Sequence, residues 1–257
     1  MFLKYRLIGV LLSALSACGF VPLVQAHEHE AAHADSLRMD AAPAPLAARY
    51  VVTVDRASNP QPRSQPTLHT WYFYRDAEQV ALLKGNVDEV WSRDVQQRVR
   101  FMRVFHDDAR VVDYSTGELL TLHVNADWAA LSSFVDPSEL AQLKRVSVQG
   151  QGRDTRWRLT GWLGQGPMQT RVTVDWLPAL QLPKRLVRQI KDGTTVRMTL
   201  VETSAQPLPS WPLVGARASN YLHLDAADFG DMDYDPVVRK SEALDARLGW
   251  RASHQHD

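Results

Sequence analysis

The chain reads as a mainly β protein: a curved antiparallel sheet, half-barrel or open barrel, with two or three short helices and mobile tails. Three observations predict this. Period-two runs rich in β-branched and aromatic residues recur from Tyr50 to Thr203, separated by Asp, Asn, Gly and Gln. One insert, around residues 125–144, switches to helix signals. The flanking stretches are rich in Ala, His, Pro and acidic residues, a composition that builds no core by itself.

Taken in order, Met1 to Arg6 carries Lys4 and Arg6 and precedes an apolar run from Leu7 to Val24, so residues 1–26 read as a secretory signal peptide. Gly9, Gly19 and Pro22 weaken the run as a membrane span. Val24-Gln25-Ala26 supplies the small residues that signal peptidase prefers, and the expected mature chain starts at His27. A rival cleavage uses Leu15-Ser16-Ala17-Cys18-Gly19, which looks like a bacterial lipobox. Cys18 would then be lipidated, giving an outer-membrane lipoprotein in place of a free periplasmic protein. Cys18 is the single cysteine, so the folded part has no disulfide, thiolate metal site or cysteine nucleophile.

Basic and acidic residues balance at 29 each. No basic face stands out along the sequence, which argues against a nucleic-acid partner. Membrane association is expected only if Cys18 is lipidated.

Residues 27–47 form a His/Ala/Pro-rich linker, and residues 48–203 form the β domain. Its strands are YVVTVDR, TLHTWYFYR, EQVALLKG, VDEVWSRD, RVRFMRVFHDD and RVVDYS, then KRVSVQGQ, TRWRLTGWL, MQTRVTVDWL, KRLVRQI and TVRMTLVET. Ten to twelve strands are enough to curl. Asp192-Gly193 marks a tight hairpin between the last two. Ala126 to Phe134 reads as one helix. Asp136-Pro137-Ser138-Glu139 opens another, with an N-cap, a proline at the first helical position and a carboxylate reaching back. Residues 204–257 are Pro-rich and acidic, with one helix over 235–248 capped by Gly249 and a His-containing end.

The segment 171–203, RVTVDWLPALQLPKRLVRQIKDGTTVRMTLVET, resembles the later strands of the periplasmic lipoprotein-carrier superfamily, the LolA-, LolB- and RseB-like half-barrels. The aromatic strand WYFY at Trp71 to Tyr74 and the helical insert fit the same layout. The resemblance implies a concave apolar face for an acyl chain or another hydrophobic segment. Trp71, Phe73, Trp91, Trp157, Trp162 and Trp176, with Phe101 and Phe105, are the residues that would line it or its back. The alternative for each is an ordinary core position, since aromatics on alternating strands dominate cores.

Other constellations are weaker. A mature terminus His27-Glu28-His29 could hold Cu(II) or Ni(II) in a plane of four nitrogens, with His33, His254 and His256 as further donors. Lipidation at Cys18 would abolish that site. From Asp231 the acids follow calcium-loop spacing, but Pro236 occupies the glycine position, so Asp235 reads as a helix cap. Asp228-Phe229-Gly230 lacks every other kinase element, and His106-Asp107-Asp108 sits where a turn is needed. No serine lies in a nucleophile elbow. Together with the signal segment, the lipoprotein-carrier resemblance implies a non-enzymatic exported protein that binds a hydrophobic small molecule or lipoprotein segment in the bacterial periplasm. A periplasmic copper- or nickel-binding accessory protein is the second expectation and an enzyme the third.

Overall fold

Alternation along the strands is realised as one sheet in the computed structural model, which describes residues 43–56, 66–164, 169–216 and 218–250. Among the described residues the strands are β1 (Leu46–Asp55), β2 (Thr67–Arg75), β3 (Gln79–Leu83), β4 (Val87–Arg93), β5 (Val99–Phe105) and β6 (Arg110–Tyr114). They continue as β7 (Lys144–Gln149), β8 (Arg156–Leu163), β9 (Thr170–Leu177), β10 (Leu182–Gln189), β11 (Thr195–Ser204) and β12 (Leu222–Asp225). The order across the sheet is β12-β6-β5-β4-β3-β2-β1-β11-β10-β9-β8-β7. Two meanders therefore meet where β1 pairs with β11. The sheet is not closed: it curves as a half-barrel with β7 and β12 at its ends.

This order explains where the helices go. Strand β6 lies next to one end and β7 at the other, ten strand spacings away, or about 48 Å measured around the sheet. The connection must cross the inner face, and it does so in short helices that each begin at a cap. Helix α1 (Thr116–Thr121) starts from a capping box, in which Glu118 N–H donates to Ser115 Oγ and Ser115 N–H to the Glu118 carboxylate. Asp127 caps α2 (Trp128–Leu131), and Asp136 caps α3 (Pro137–Ala141), which has proline in its first turn. The expected helix over 126–134 is thus shorter, and α1 is an addition to the expected set.

The inner face is the main core. Tyr50 and Val52 of β1, Phe73 of β2, Trp91 of β4, Phe101 of β5, Leu159 of β8 and Val174 and Trp176 of β9 pack with Leu119, Val135, Leu140 and Leu143 from the helical crossing. Gly161 of β8 faces Leu143 so closely that an added Cβ would lie 2.8 Å from its Cδ2. Burial on this scale supplies most of the folding drive. Arg75 ties the crossing to the sheet: its guanidinium donates to the carbonyls of Ser132 and Leu180 at 2.6 Å each and to that of Ala44 at 3.0 Å. Burial lowers its pKa to about 10.

After β11 the chain crosses to the outer face. Residues 205–216 and 218–221 run over one half of the sheet as a strap, held by Trp211, Leu208 and Val214 against Tyr72, Tyr74, Leu83 and Val90. The Tyr74 hydroxyl donates to the Pro212 carbonyl at 2.6 Å. Strand β12 then joins β6 in parallel, and α4 (Pro236–Arg247) returns over the inner face. Asp235 caps α4 through Val237 N–H and Val238 N–H, and Gly249 follows it at φ +77. The C-terminal segment so wraps the β1–β6 half on both sides.

Candidate functional site

The inner-face aromatics sit beneath helices. Phe134 lies 4.3 Å from Phe73 and 5.2 Å from Tyr50, ring centre to ring centre. Trp91 stacks on Phe101 at 4.4 Å and meets Trp250 edge-on at 5.8 Å. Trp176 is 1% exposed and pairs across the strands with Trp157, whose ring carries the Arg145 guanidinium at 5.5 Å. Trp71 is half-buried, with the Lys84 ammonium 5.6 Å from its ring. Trp162 is five residues from Trp157 on an unbroken strand, so it faces the other side of the sheet, 56% exposed. Of the six aromatics expected at a ligand, five therefore share the inner face and Trp162 stands alone on the outer one. Cys18, His27, His29, His33, His254 and His256 lie outside the described residues. Among the described residues no group of three or more His, Cys, Asp or Glu side chains could hold a metal ion.

Over β4 to β6 the inner face is closed by a polar lock. Arg103 Nη1 donates to Asp245 Oδ1 and to Ser241 Oγ, each at 2.8 Å, and to the Tyr114 hydroxyl at 3.2 Å. The rings of Phe101, Tyr114 and Trp250 lie 5.1, 5.7 and 5.7 Å from its guanidinium carbon. Burial pushes the Tyr114 hydroxyl pKa well above its ordinary value. Nε and Nη2 of Arg103 have no hydrogen-bond partner among the described residues. This lock orients α4 and leaves the inner face filled there.

One recess lies on the outer face, between the strap and β2 to β5. Its cavity is about 190 Å³. Tyr72, Leu83, Val90 and Val104 form the sheet side, and Pro212 to Ala216 with Ala218 form the strap side. Alternation makes this wall: Tyr72, Leu83, Val90 and Val104 are the outward residues of successive strands. The walls are mainly apolar; their polar groups are Thr70, the Tyr72 hydroxyl and a row that begins with Asp88 and His106. His106 Nε2 lies 2.7 Å from Asp88 Oδ2, and Nδ1 lies 3.2 Å from the Tyr221 hydroxyl. Asp88 Oδ1 in turn accepts from Lys84 N–H at 3.0 Å. An acceptor-only carboxylate at Nε2 calls for the proton there, so in the neutral ring Nδ1 accepts from Tyr221 O–H. The row joins β4, β5 and the strap's end. It places hydrogen-bonding groups at one edge of the recess.

His106 is the residue whose role sequence proximity obscured. Its neighbour Asp107 accepts instead from Asn86 Nδ2 at 2.9 Å. The readable signal was Asp88, an acid on the alternating strand VDEVWSR, at a position where its neighbours in register are apolar.

No protein-family model matches the chain, and no curated protein matches it. Solved structures do. MucB is 13% identical with a TM-score of 0.40, over 74% of this chain and 64% of that one. A putative outer membrane lipoprotein-sorting protein domain from Vibrio parahaemolyticus is 8% identical with a TM-score of 0.32, over 75% of this chain and 96% of that one. A LolA superfamily protein from Nitrosomonas europaea is 10% identical with a TM-score of 0.22, over 72% and 96%. Two of these matches bear in their own titles the lipoprotein-sorting or LolA name of the group that the strands resemble. The likeness is one of fold, and the chain spans just under two thirds of the length of MucB.

Proposed function

We propose that the chain is a non-enzymatic binding protein of the bacterial periplasm that takes up a hydrophobic group in the recess between the strap and the sheet. The observation that carries this is the apolar cavity of about 190 Å³ bounded by Tyr72, Val90, Val104 and the strap. Cavities of about 150 Å³ lined by apolar side chains hold a benzene-sized molecule, and whole small-molecule sites run to roughly 300–1,000 Å³. The recess therefore suits one large apolar side chain or a short length of acyl chain. Of the two ligand classes, a lipoprotein segment or peptide supplies such a group together with a backbone polar group for the Asp88–His106–Tyr221 row.

A fluorescent fatty acid and a fluorescent apolar peptide, titrated in parallel, test this. Both signals should saturate with one site, and Ala216→Trp, which fills the mouth of the recess, should abolish them while leaving the thermal midpoint within a few degrees. Saturable binding that survives Ala216→Trp would place the ligand elsewhere and overturn the reading. Absence of binding by either probe would overturn it as well.

A further inference from the structure

The sheet divides its charge unequally. Residues 144–199 hold eleven Lys and Arg against three Asp, a net charge of plus eight in a chain whose total is zero, so the remainder carries minus eight. Folding then sorts these cations by face. The register rows Lys144–Thr160–Thr173–Val187–Arg197 and Arg158–Asp175–Arg185–Thr199 both point outward, as does the Trp162–Arg171–Gln189 row. Arg156, two residues from Arg158 on β8, joins them. The strap covers only the other half, packing on residues of β1 to β6. The outward side of β7 to β11 is left uncovered, about 19 Å wide by strand spacing.

Most acids on this side are already used. Asp175 takes Arg158 at 2.8 Å, Glu202 takes Arg49 at 3.1 Å, and Asp55 lies 3.7 Å from Arg197. Lys144, Arg156, Arg171 and Arg185 have no acid partner among the described residues, although Arg156 also donates to Gln149. One large apolar side chain stands among them: Trp162, 56% exposed and directly opposite Arg171.

From this we infer that the outer face of β7–β11 docks on the surface of an anionic lipid bilayer. Unpaired cations meet the headgroup charge, and an indole flanked by arginine sits at headgroup depth with its ring in the apolar boundary. A dissolved polyanion would use the cations but leave Trp162 unburied, so the bilayer satisfies more of the face. The contact needs no acyl chain on Cys18, and it does not depend on occupancy of the recess on the other half.

Vesicle flotation of the secreted protein carrying Cys18→Ser tests this. With vesicles of 70% phosphatidylcholine and 30% phosphatidylglycerol at low salt, the protein should float with the lipid. It should stay behind with pure phosphatidylcholine and be released as salt rises. Arg171→Glu/Arg185→Glu should reduce the bound fraction at least about tenfold, and Trp162→Ser severalfold, with unchanged circular dichroism and melting. Arg239→Glu, on exposed α4, should leave flotation unchanged. The inference is overturned if the wild type fails to float with anionic vesicles. It is equally overturned if the Arg171/Arg185 double variant floats as well as wild type, or if polyphosphate binds the protein while the vesicles do not.

Discussion

Arg103 and Asp245 form an ion pair 2.8 Å long with neither side chain exposed to solvent. One partner lies on β5 near one end of the sheet and the other on the last helix. Their pairing, with Val237 and Val238 in the core, ties α4 to the inner face. Attraction in such a site is offset by the desolvation of both charges, so breaking the pair and replacing it have different outcomes.

Asp245→Ala should destabilise the protein by about 3 to 5 kcal/mol, because it leaves Arg103 charged and enclosed by aromatic rings. Arg103→Met/Asp245→Leu should recover most of that loss. Equilibrium denaturation of the two variants checks both statements, and equal losses would contradict the account.

Arg75→Ala should cost about 3 kcal/mol or more, since it strips donors from the carbonyls of Ala44, Ser132 and Leu180, of which Ser132 is fully buried. Arg75→Lys should recover little, because one ammonium cannot span a fork that reaches three segments. Hydrogen exchange should show the helical crossing opening before the sheet.

Asp94 closes the β4–β5 hairpin. Its carboxylate accepts from Arg98 N–H at 3.0 Å, Gln96 N–H at 2.9 Å and Arg98 Nε at 2.7 Å, and these bonds, Arg98's backbone first, hold its pKa below the ordinary aspartate value. A carboxylate depressed by folding stabilises above its unfolded pKa and loses that contribution as pH falls through the folded one. Asp94→Asn should therefore lower the melting temperature at pH 7, and the gap from wild type should shrink below about pH 4. A gap that is constant from pH 7 to pH 2 would count against the linkage.

The N-terminal prediction rests on residue types alone. A mature chain beginning His27-Glu28-His29 should bind one Cu(II) per chain with a visible band that disappears on acidification. His29→Ala should remove the band, while His254→Ala/His256→Ala should leave most of it. Persistence of the band after His29→Ala would refute the ligand set.

Much of the sheet was legible because each strand shows its period in its own residues. Thr67–Arg75 and Val87–Arg93 begin and end within a residue or two of their alternating runs. The two caps with Asp-Pro were equally local signals. Helix α1 also carried a local signal, Ser115-x-x-Glu118, but it directly follows RVVDY and reads as the end of a strand. Strand β12 is four residues long and pairs with β6 only by coming round the sheet, so no window of sequence holds its cause. The recess was hidden for the same reason. His106 meets Asp88 across a hairpin and Tyr221 from 115 residues away. The basic face escaped notice because its cations alternate with inward residues on separate strands, where no run of like charge forms.

The pairing of β1 with β11 also sets a clock. Asp55 faces Thr195, 140 residues later, while β2 to β6 follow β1 closely and can fold on it at once. During synthesis at about 5–20 residues per second, β11 reaches β1 roughly 7 to 28 s after β1 itself emerges. For that interval the first meander waits with Leu46 to Asp55 as an open edge, apolar toward the core and able to pair with any extended chain nearby. The aggregation-exposed interval for β1 is therefore the wait for the second meander, after which only the short β12 has still to join the sheet.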